Sequence, residues 1–594
     1  MASPTPVTLQ RLQCLSALVA ATTLLAACGG GSSAPPPPPP PPPPAATLSL
    51  TGTAATGAAI AGATVTAKCN GGTGTATTAA NGTYSIALTA GALPCVLKVA
   101  TTAGDLYSVA TGTGTTATAN ITPFTQLIVA NLTGKDPAAY FTDFGAADIT
   151  ALTSAVVTTA QVAVVTVLKN NGIDTSTLPT SLVAGSLVAA SGSTAGNAYD
   201  VALDALKAKL TSSATTLAQL TTTVLQTATT AVPSGTPSVA LDVALQPAAA
   251  TCAALRSGIY RFVEPQIENP PNSGSSSTGT VTINATASAT TVVVTEPNTS
   301  TNTLTAVSGA PCRFADAAGG AAVVSQAGVI AFRNADGSAG VVFPEQSIAL
   351  VDLAGDWNFV SYDRSNLTDP LGPRATSGTV SSGGVLTVTN YCADAKTCVT
   401  TGLPTWPLTV NVAGGFNINF STTEFSRMFA FRAGGGEIML VGVSADGTFA
   451  FGTRRRTNGL PAVGAAFTGW NVGVNNVLVG TTYGPRGLAI TESSNIVTSV
   501  DTVNGSFTRD NVTNVVGPVT RPETIFANAV AGNARQGYRW RQPATGVLNS
   551  AGATVNVPEF IDLPLRGMGM NASVFPNANL TASSFNISVT RPAP

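Results

Sequence analysis

Three stretches of the chain begin alike: SGIYRFV from Ser257, AGDWNFV from Ala354 and TGWNVGV from Thr468. The first two share a glycine (Gly258, Gly355), an aromatic residue two positions on (Tyr260, Trp357) and then Phe-Val (Phe262-Val263, Phe359-Val360). The third matches loosely. Later segments also correspond, as in GVIAFRNADGSAGVVF (328–343) and MFAFRAGGGEIMLVGVSADGTFAFG (428–452), each reading strand, glycine-rich turn, strand. Such recurrence predicts two or three related antiparallel units of about 100 residues. An antiparallel unit must hide its edges, by closing on itself or by covering one sheet with another, so barrel-like and sandwich-like units are both open.

Composition supports this β-rich reading. Of 594 residues, 44% are hydrophobic but only 6% aromatic and 9% charged, so small and β-branched side chains fill the difference. The length calls for several domains. With 27 basic and 28 acidic residues, no strong field attracts nucleic acid or an anionic membrane. The sequence contains no histidine, which excludes Ser-His-Asp and Cys-His catalysis in their usual forms, His-containing zinc sites and c-type haem attachment. The Gly-x-Trp start at Gly355 is similar to the first strand of lipocalin-like barrels, a resemblance that implies an aromatic side chain plugging a barrel floor.

The amino-terminal region gives an address. Residues 1–27 combine Arg11 with an apolar stretch of signal-peptide length, too short for a permanent membrane span. The stretch ends in Leu25-Ala26-Ala27-Cys28, which resembles the bacterial lipobox. That resemblance implies cleavage before Cys28 and diacylglyceryl, then acyl, attachment there. Several chains together give stable anchoring. Gly29 stands where retained inner-membrane lipoproteins commonly carry Asp, so the resemblance implies the outer membrane. Pro35 to Pro44 in the 28–45 linker should form a polyproline II spacer of about 30 Å.

Setting aside Cys14 in the leader and Cys28 leaves Cys69, Cys95, Cys252, Cys312, Cys392 and Cys398. An even number in an exported chain predicts disulfides, and pairing sequence neighbours gives Cys69–Cys95, Cys252–Cys312 and Cys392–Cys398.

Residues 46–120 read as a small β-sandwich with an Asn81-Gly82 hairpin turn. Gly62-Ala63-Thr64-Val65 and Asn81-Gly82-Thr83-Tyr84-Ser85 resemble the carboxypeptidase-regulatory-like, transthyretin-like module, implying a non-catalytic spacer, stabilising unit or carbohydrate-binding surface. Residues 121–232 read as a helical subdomain. Thr122-Pro123 is a helix start, Leu203, Leu206 and Leu210 share one face, and Leu217, Leu220 and Val224 another. A linker over 233–251 precedes β units at 252–350, 351–465 and 466–594. The expected fold class is therefore mainly β and multidomain: a small sandwich, a short helical subdomain, then barrel-like or sandwich-like units.

Catalytic motifs are sparse. No Gly-x-Ser-x-Gly elbow or phosphate loop occurs, and the Asn-Ala-Asp-Gly and Ser-Ala-Asp-Gly stretches at 334–337 and 444–447 read as hairpin turns. Arg454-Arg455-Arg456 reads as a solvated strand edge, with an anion site as the alternative. Asp356 with Glu424 or Glu437 could form a glycosidase-type pair only if a cleft brought them together. The sequence thus leads to a non-enzymatic, lipid-anchored envelope protein without cofactor or metal, displaying modules that bind carbohydrate or another envelope component. A carboxylate hydrolase and a barrel-type carrier of a small apolar ligand are the alternatives.

Overall fold

The computed structural model describes residues 47–102, 104–228, 243–265, 278–363, 372–393, 397–421, 425–433, 436–444, 447–479, 482–487, 489–513, 519–576 and 584–591. The lipobox, Cys28, the proline run and Glu424 lie outside them. Mainly β, the described chain begins with a sandwich. The Thr47–Thr53 strand pairs with Thr83–Thr89 and Thr116–Thr118, and a second sheet orders Gly72–Thr77, Thr64–Asn70, Ala92–Val99 and Leu106–Ala110. Alternation in Thr83–Thr89 sends Tyr84, Ile86 and Leu88 into the core and Thr83, Ser85 and Thr89 to solvent. Asn81-Gly82 forms the turn: Gly82 takes φ +78°, and the Asn81 side chain accepts from Thr83.

Six helices follow among the described residues. Thr122 caps Pro123–Thr133 in a reciprocal box with Thr125, and that helix packs against the Leu106–Ala110 strand. Leu203, Leu206, Leu220 and Val224 reach the shared helical core, each about 1% exposed. No described helix is long and apolar enough to cross a membrane. In the stretch expected to be a linker, Val243, Ala244 and Leu245 are instead buried, and the Leu245 amide donates to Asn171.

The remainder forms three eight-stranded barrels, which decides between the two closures that the repeats left open. In the first, strands run from Gly258–Val263 to Ala339–Pro344, and these two pair to close the ring. In the second, Gly355–Asp363 pairs with both Gly372–Val380 and Phe449–Arg454, and Gly372–Val380 with Val385–Ala393. In the third, Ala466–Val479 pairs with Thr491–Asp501 and with Ser584–Thr590.

The first two lumens are apolar and filled. Tyr260, Val281, Ile283, Val292 and Phe314 fill one; Trp357, Leu386, Met428 and Leu440 fill the other. The repeated starts do the same job in both. Tyr260 Oη donates to the Arg256 carbonyl at 2.7 Å and Trp357 Nε1 to the Leu353 carbonyl at 2.7 Å, so each aromatic ties itself to the backbone four residues earlier. The third start departs from this pattern. Trp470, Val472, Val474, Ile587 and Val589 face outward and are buried between barrels, where the Phe585 ring lies 5.7 Å from that of Phe451 in the second barrel. The third lumen is mixed: Asn471 accepts from Asn586 and Ser588, Asn511 donates to Asn495, and Glu523 meets Arg509, Arg521 and Arg541, while Val497, Phe507, Ile525 and Phe560 form a small apolar cluster beside them.

Three disulfides are present. Cys69–Cys95 joins adjacent strands at the register where the two residues face each other. Cys252–Cys312 ties the Cys252–Arg256 strand to the entry of Arg313–Ala315, and Cys392–Cys398 closes a hairpin on the second barrel. The 334–337 stretch lies at a hairpin turn, with the Gly337 amide bonded to Asn334; in the 444–447 stretch the Gly447 amide bonds to Ser444, and Ala445 and Asp446 lie outside the described residues.

Candidate functional site

The end of the second barrel that Trp357 plugs carries a dense cluster of charge. Phe449–Arg454 runs antiparallel to Gly355–Asp363, so its last residue arrives beside the first residues of its partner. The Arg454 guanidinium stacks on Trp357, 4.4 Å from the ring centroid, and donates to the carbonyls of Asp352 and Leu353 in the short Leu350–Leu353 helix and of Ala354, which follows it. Gly355, at φ +130°, leaves room for it, because a Cβ there would collide with that guanidinium. Burial, with Arg456 beside it, holds Arg454 below the usual arginine value.

Around this plug lies a cavity of about 370 Å³, lined by Asp352, Asp356, Arg432, Glu437, Arg454, Arg455 and Arg456 among others. Arg432 pairs with Asp352 at 2.9 Å. Arg456 Nε sits 3.1 Å from Glu437 Oε1, close enough for an ion pair, although its N–H is not directed along a hydrogen bond. Asp356 accepts from Thr379. Glu437 is 5% exposed, and its second oxygen, Oε2, has no hydrogen-bond partner among the described residues. A buried carboxylate oxygen left so is costly, and in folded proteins it generally finds a donor.

The arginine run is therefore no solvated edge. The strand ends at Arg454, which turns inward, while Arg455 donates to the Gly378 carbonyl and also lines a second cavity of about 300 Å³. Ser377, Asn390, Arg535 and Gln536 line that second cavity, where the second and third barrels meet. Gly567 of the third barrel lies against Glu437, and Arg566 beside it donates to the Thr457 carbonyl. Asp356 and Glu437, far apart in sequence, do line one cavity. Sequence pattern alone does not point to Arg432 or Asp352: Arg432 ends the Phe425–Arg432 strand, and Asp352 lies in the Leu350–Leu353 helix just before the AGDWNFV start.

Aromatic side chains are spent elsewhere. Tyr84, Tyr107, Tyr140, Tyr199, Tyr260, Tyr362, Tyr538, Trp357 and Trp470 are all buried, while Phe420, Phe425 and Phe467 are exposed. Trp406, half-buried and set edge-on to Phe420 at 4.9 Å, also reaches solvent. Among the described residues no cluster of three or more His, Cys, Asp or Glu could hold a metal ion.

Fold and site together define a class: a body of closed barrels packed side by side, with a charged cavity at the plugged end of the second. No family model matches the chain, and no curated protein matches it significantly. Among solved structures it is similar to two mutants of the vaccine antigen Transferrin Binding Protein B from Haemophilus parasuis Hp5. The double mutant is 8% identical, covering 57% of this chain and 76% of that one at a TM-score of 0.21. The single mutant is 10% identical, with the same coverage and a TM-score of 0.19. Intact Ap-TbpB, with N and C lobes, is 10% identical over 56% of this chain and 75% of that one, at a TM-score of 0.18. Likenesses at such scores carry no argument about function.

Proposed function

We propose that this is a lipid-anchored protein of the bacterial outer membrane whose barrels form a binding module for an envelope or environmental carbohydrate. The single observation that carries the binding reading is the cavity of about 370 Å³ at the end of the second barrel, where guanidinium groups and carboxylates converge and the buried Glu437 Oε2 has no partner among the described residues. The anchor is Cys28, released by cleavage after Leu25-Ala26-Ala27, and the prolines of the 28–45 linker act as spacer. The sandwich belongs to the carboxypeptidase-regulatory-like class in this reading, and the division into 46–120, 121–232 and the barrels from 252 onward belongs to it too.

The filled apolar lumens of the first two barrels leave the carrier alternative without support. A hydrolase keeps one observation in its favour, since Asp356 and Glu437 line the same cavity; release of reducing ends from a bound glycan, lost in Asp356→Asn, is its signature. Two measurements test the main reading. Cells fed a labelled fatty acid should label the wild-type protein and leave Cys28→Ser unlabelled; equal labelling overturns the anchor. The purified full chain should retain glycans on an array, and uniform silence overturns the carbohydrate reading.

A further inference from the structure

Resting on that binding reading, we propose that the cavity at the plugged end of the second barrel takes a sugar acid, a hydroxylated carboxylate of the hexuronate kind. Its lining presents two opposed demands. Arg432, Arg454, Arg455 and Arg456 converge on it, so a cationic ligand meets repulsion from four guanidinium groups. Asp356 and Glu437 line the same space, and Glu437 Oε2 is buried with no donor among the described residues. A simple anion such as sulfate or acetate answers the arginines but leaves that oxygen unpaired and adds negative charge beside it. A neutral sugar answers the carboxylates but leaves the guanidinium groups with nothing they do not already have.

A uronate satisfies both. Its carboxylate accepts charge-assisted hydrogen bonds from arginine, which suits planar, two-pronged recognition, and its ring hydroxyls donate to Glu437 and Asp356. The arginines hold their present partners loosely enough to share: the Arg456–Glu437 contact is not in hydrogen-bond geometry, and Arg432 and Asp352 keep 32% and 43% of their side chains exposed. The volume of about 370 Å³ lies at the small end for ligand sites, which fits one sugar residue rather than a long chain. None of the aromatic rings that reach solvent, Trp406, Phe420, Phe425 and Phe467, lines this cavity, so recognition there is by charge and hydroxyl rather than by stacking.

Titration calorimetry of the full chain in detergent, with D-glucuronate, D-glucose and sodium acetate as separate probes, tests this. Glucuronate should bind at least about tenfold more tightly than glucose or acetate, and the gap should shrink as salt rises. Arg456→Gln should lower glucuronate affinity and leave the melting temperature within a few degrees of wild type. Glu437→Gln should lower it too, while leaving the weak binding of acetate unchanged or improved. Glucose binding as tightly as glucuronate overturns the sugar-acid inference and leaves the carbohydrate reading standing. Acetate matching glucuronate overturns it in favour of a plain anion site, and silence to all three overturns both readings of this cavity.

Discussion

At the scale of single residues, the charges that matter most are those the barrels bury. The Glu523 side chain is fully buried in the third lumen and receives Arg541 at 2.8 Å and Arg509 at 3.0 Å, with Arg521 alongside. Burial alone would push its carboxyl up, but the three guanidinium groups outweigh it and hold the group below the ordinary glutamate value. A carboxyl depressed in the folded state stabilises above its unfolded pKa, and that stability is lost as pH falls through the folded one. Glu523→Gln leaves three arginines facing each other, so it should cost about 3 kcal/mol at neutral pH. The gap from wild type should narrow in acid, below the ordinary glutamate range. Urea denaturation of both proteins at neutral and acid pH measures this, and a gap independent of pH would count against it. Asp562, in the same lumen, runs the other way. Burial raises its carboxyl despite Arg539, so its charged form is penalised and its contribution falls as pH rises.

At the scale of elements, much of the fold could be read from local pattern. The Asn81-Gly82 turn, the Thr122 cap and the buried leucines of the helices follow from turn chemistry, capping and a 3.6-residue period, all of which act within a few residues. The paired starts at Gly258 and Gly355 announced two related barrels because each sets an aromatic plug two residues after a glycine held at positive φ, +151° and +130°. What stayed hidden is which face of a strand looks inward. In Ala466–Val479, Trp470 and Val472 alternate with Asn471 and Gly473, and that pattern is the same whether the apolar face fills a lumen or meets a neighbour. The cavity was hidden for a similar reason: Asp356, Glu437 and Arg456 meet only because closure brings the ends of distant strands to one rim. The disulfides give a prediction at this scale. Loop-closure entropy grows with the chain enclosed, so opening Cys252–Cys312, separated by 60 residues, should cost about 4 kcal/mol, and opening Cys392–Cys398, separated by 6, about 2.4 kcal/mol. Denaturation of the two double Cys→Ala variants checks the order; the reverse ranking would show that strain or residual structure dominates.

At the scale of the whole molecule, the barrels depend on one another unequally. The first two carry apolar lumens and so own a core apiece, whereas the third has put most of its large apolar side chains on its outside. Trp470, Val472, Ile561, Leu563, Phe585, Ile587 and Val589 are each 0% exposed, against neighbours that include Tyr362, Phe449 and Phe451 of the second barrel. Each such side chain is worth about 1.5–3 kcal/mol when taken out of water, and the lumen, filled by Asn, Arg and Glu pairs beside a small apolar cluster of Val497, Phe507, Ile525 and Phe560, supplies much less of that driving force. A fragment of residues 466–594 would present these side chains as one contiguous apolar patch, well beyond the few hundred Å² that monomers tolerate. It should therefore self-associate and bind a hydrophobic dye. The 252–594 fragment, which keeps all three barrels and the Cys252–Cys312 bridge, should elute as a single species and melt in one transition, because its barrels share the core between them. Size-exclusion chromatography and calorimetry of the two fragments decide the matter. A monodisperse 466–594 fragment with its own cooperative melt would mean that the mixed lumen is a self-sufficient core, and that the outward apolar face is there for assembly rather than for folding.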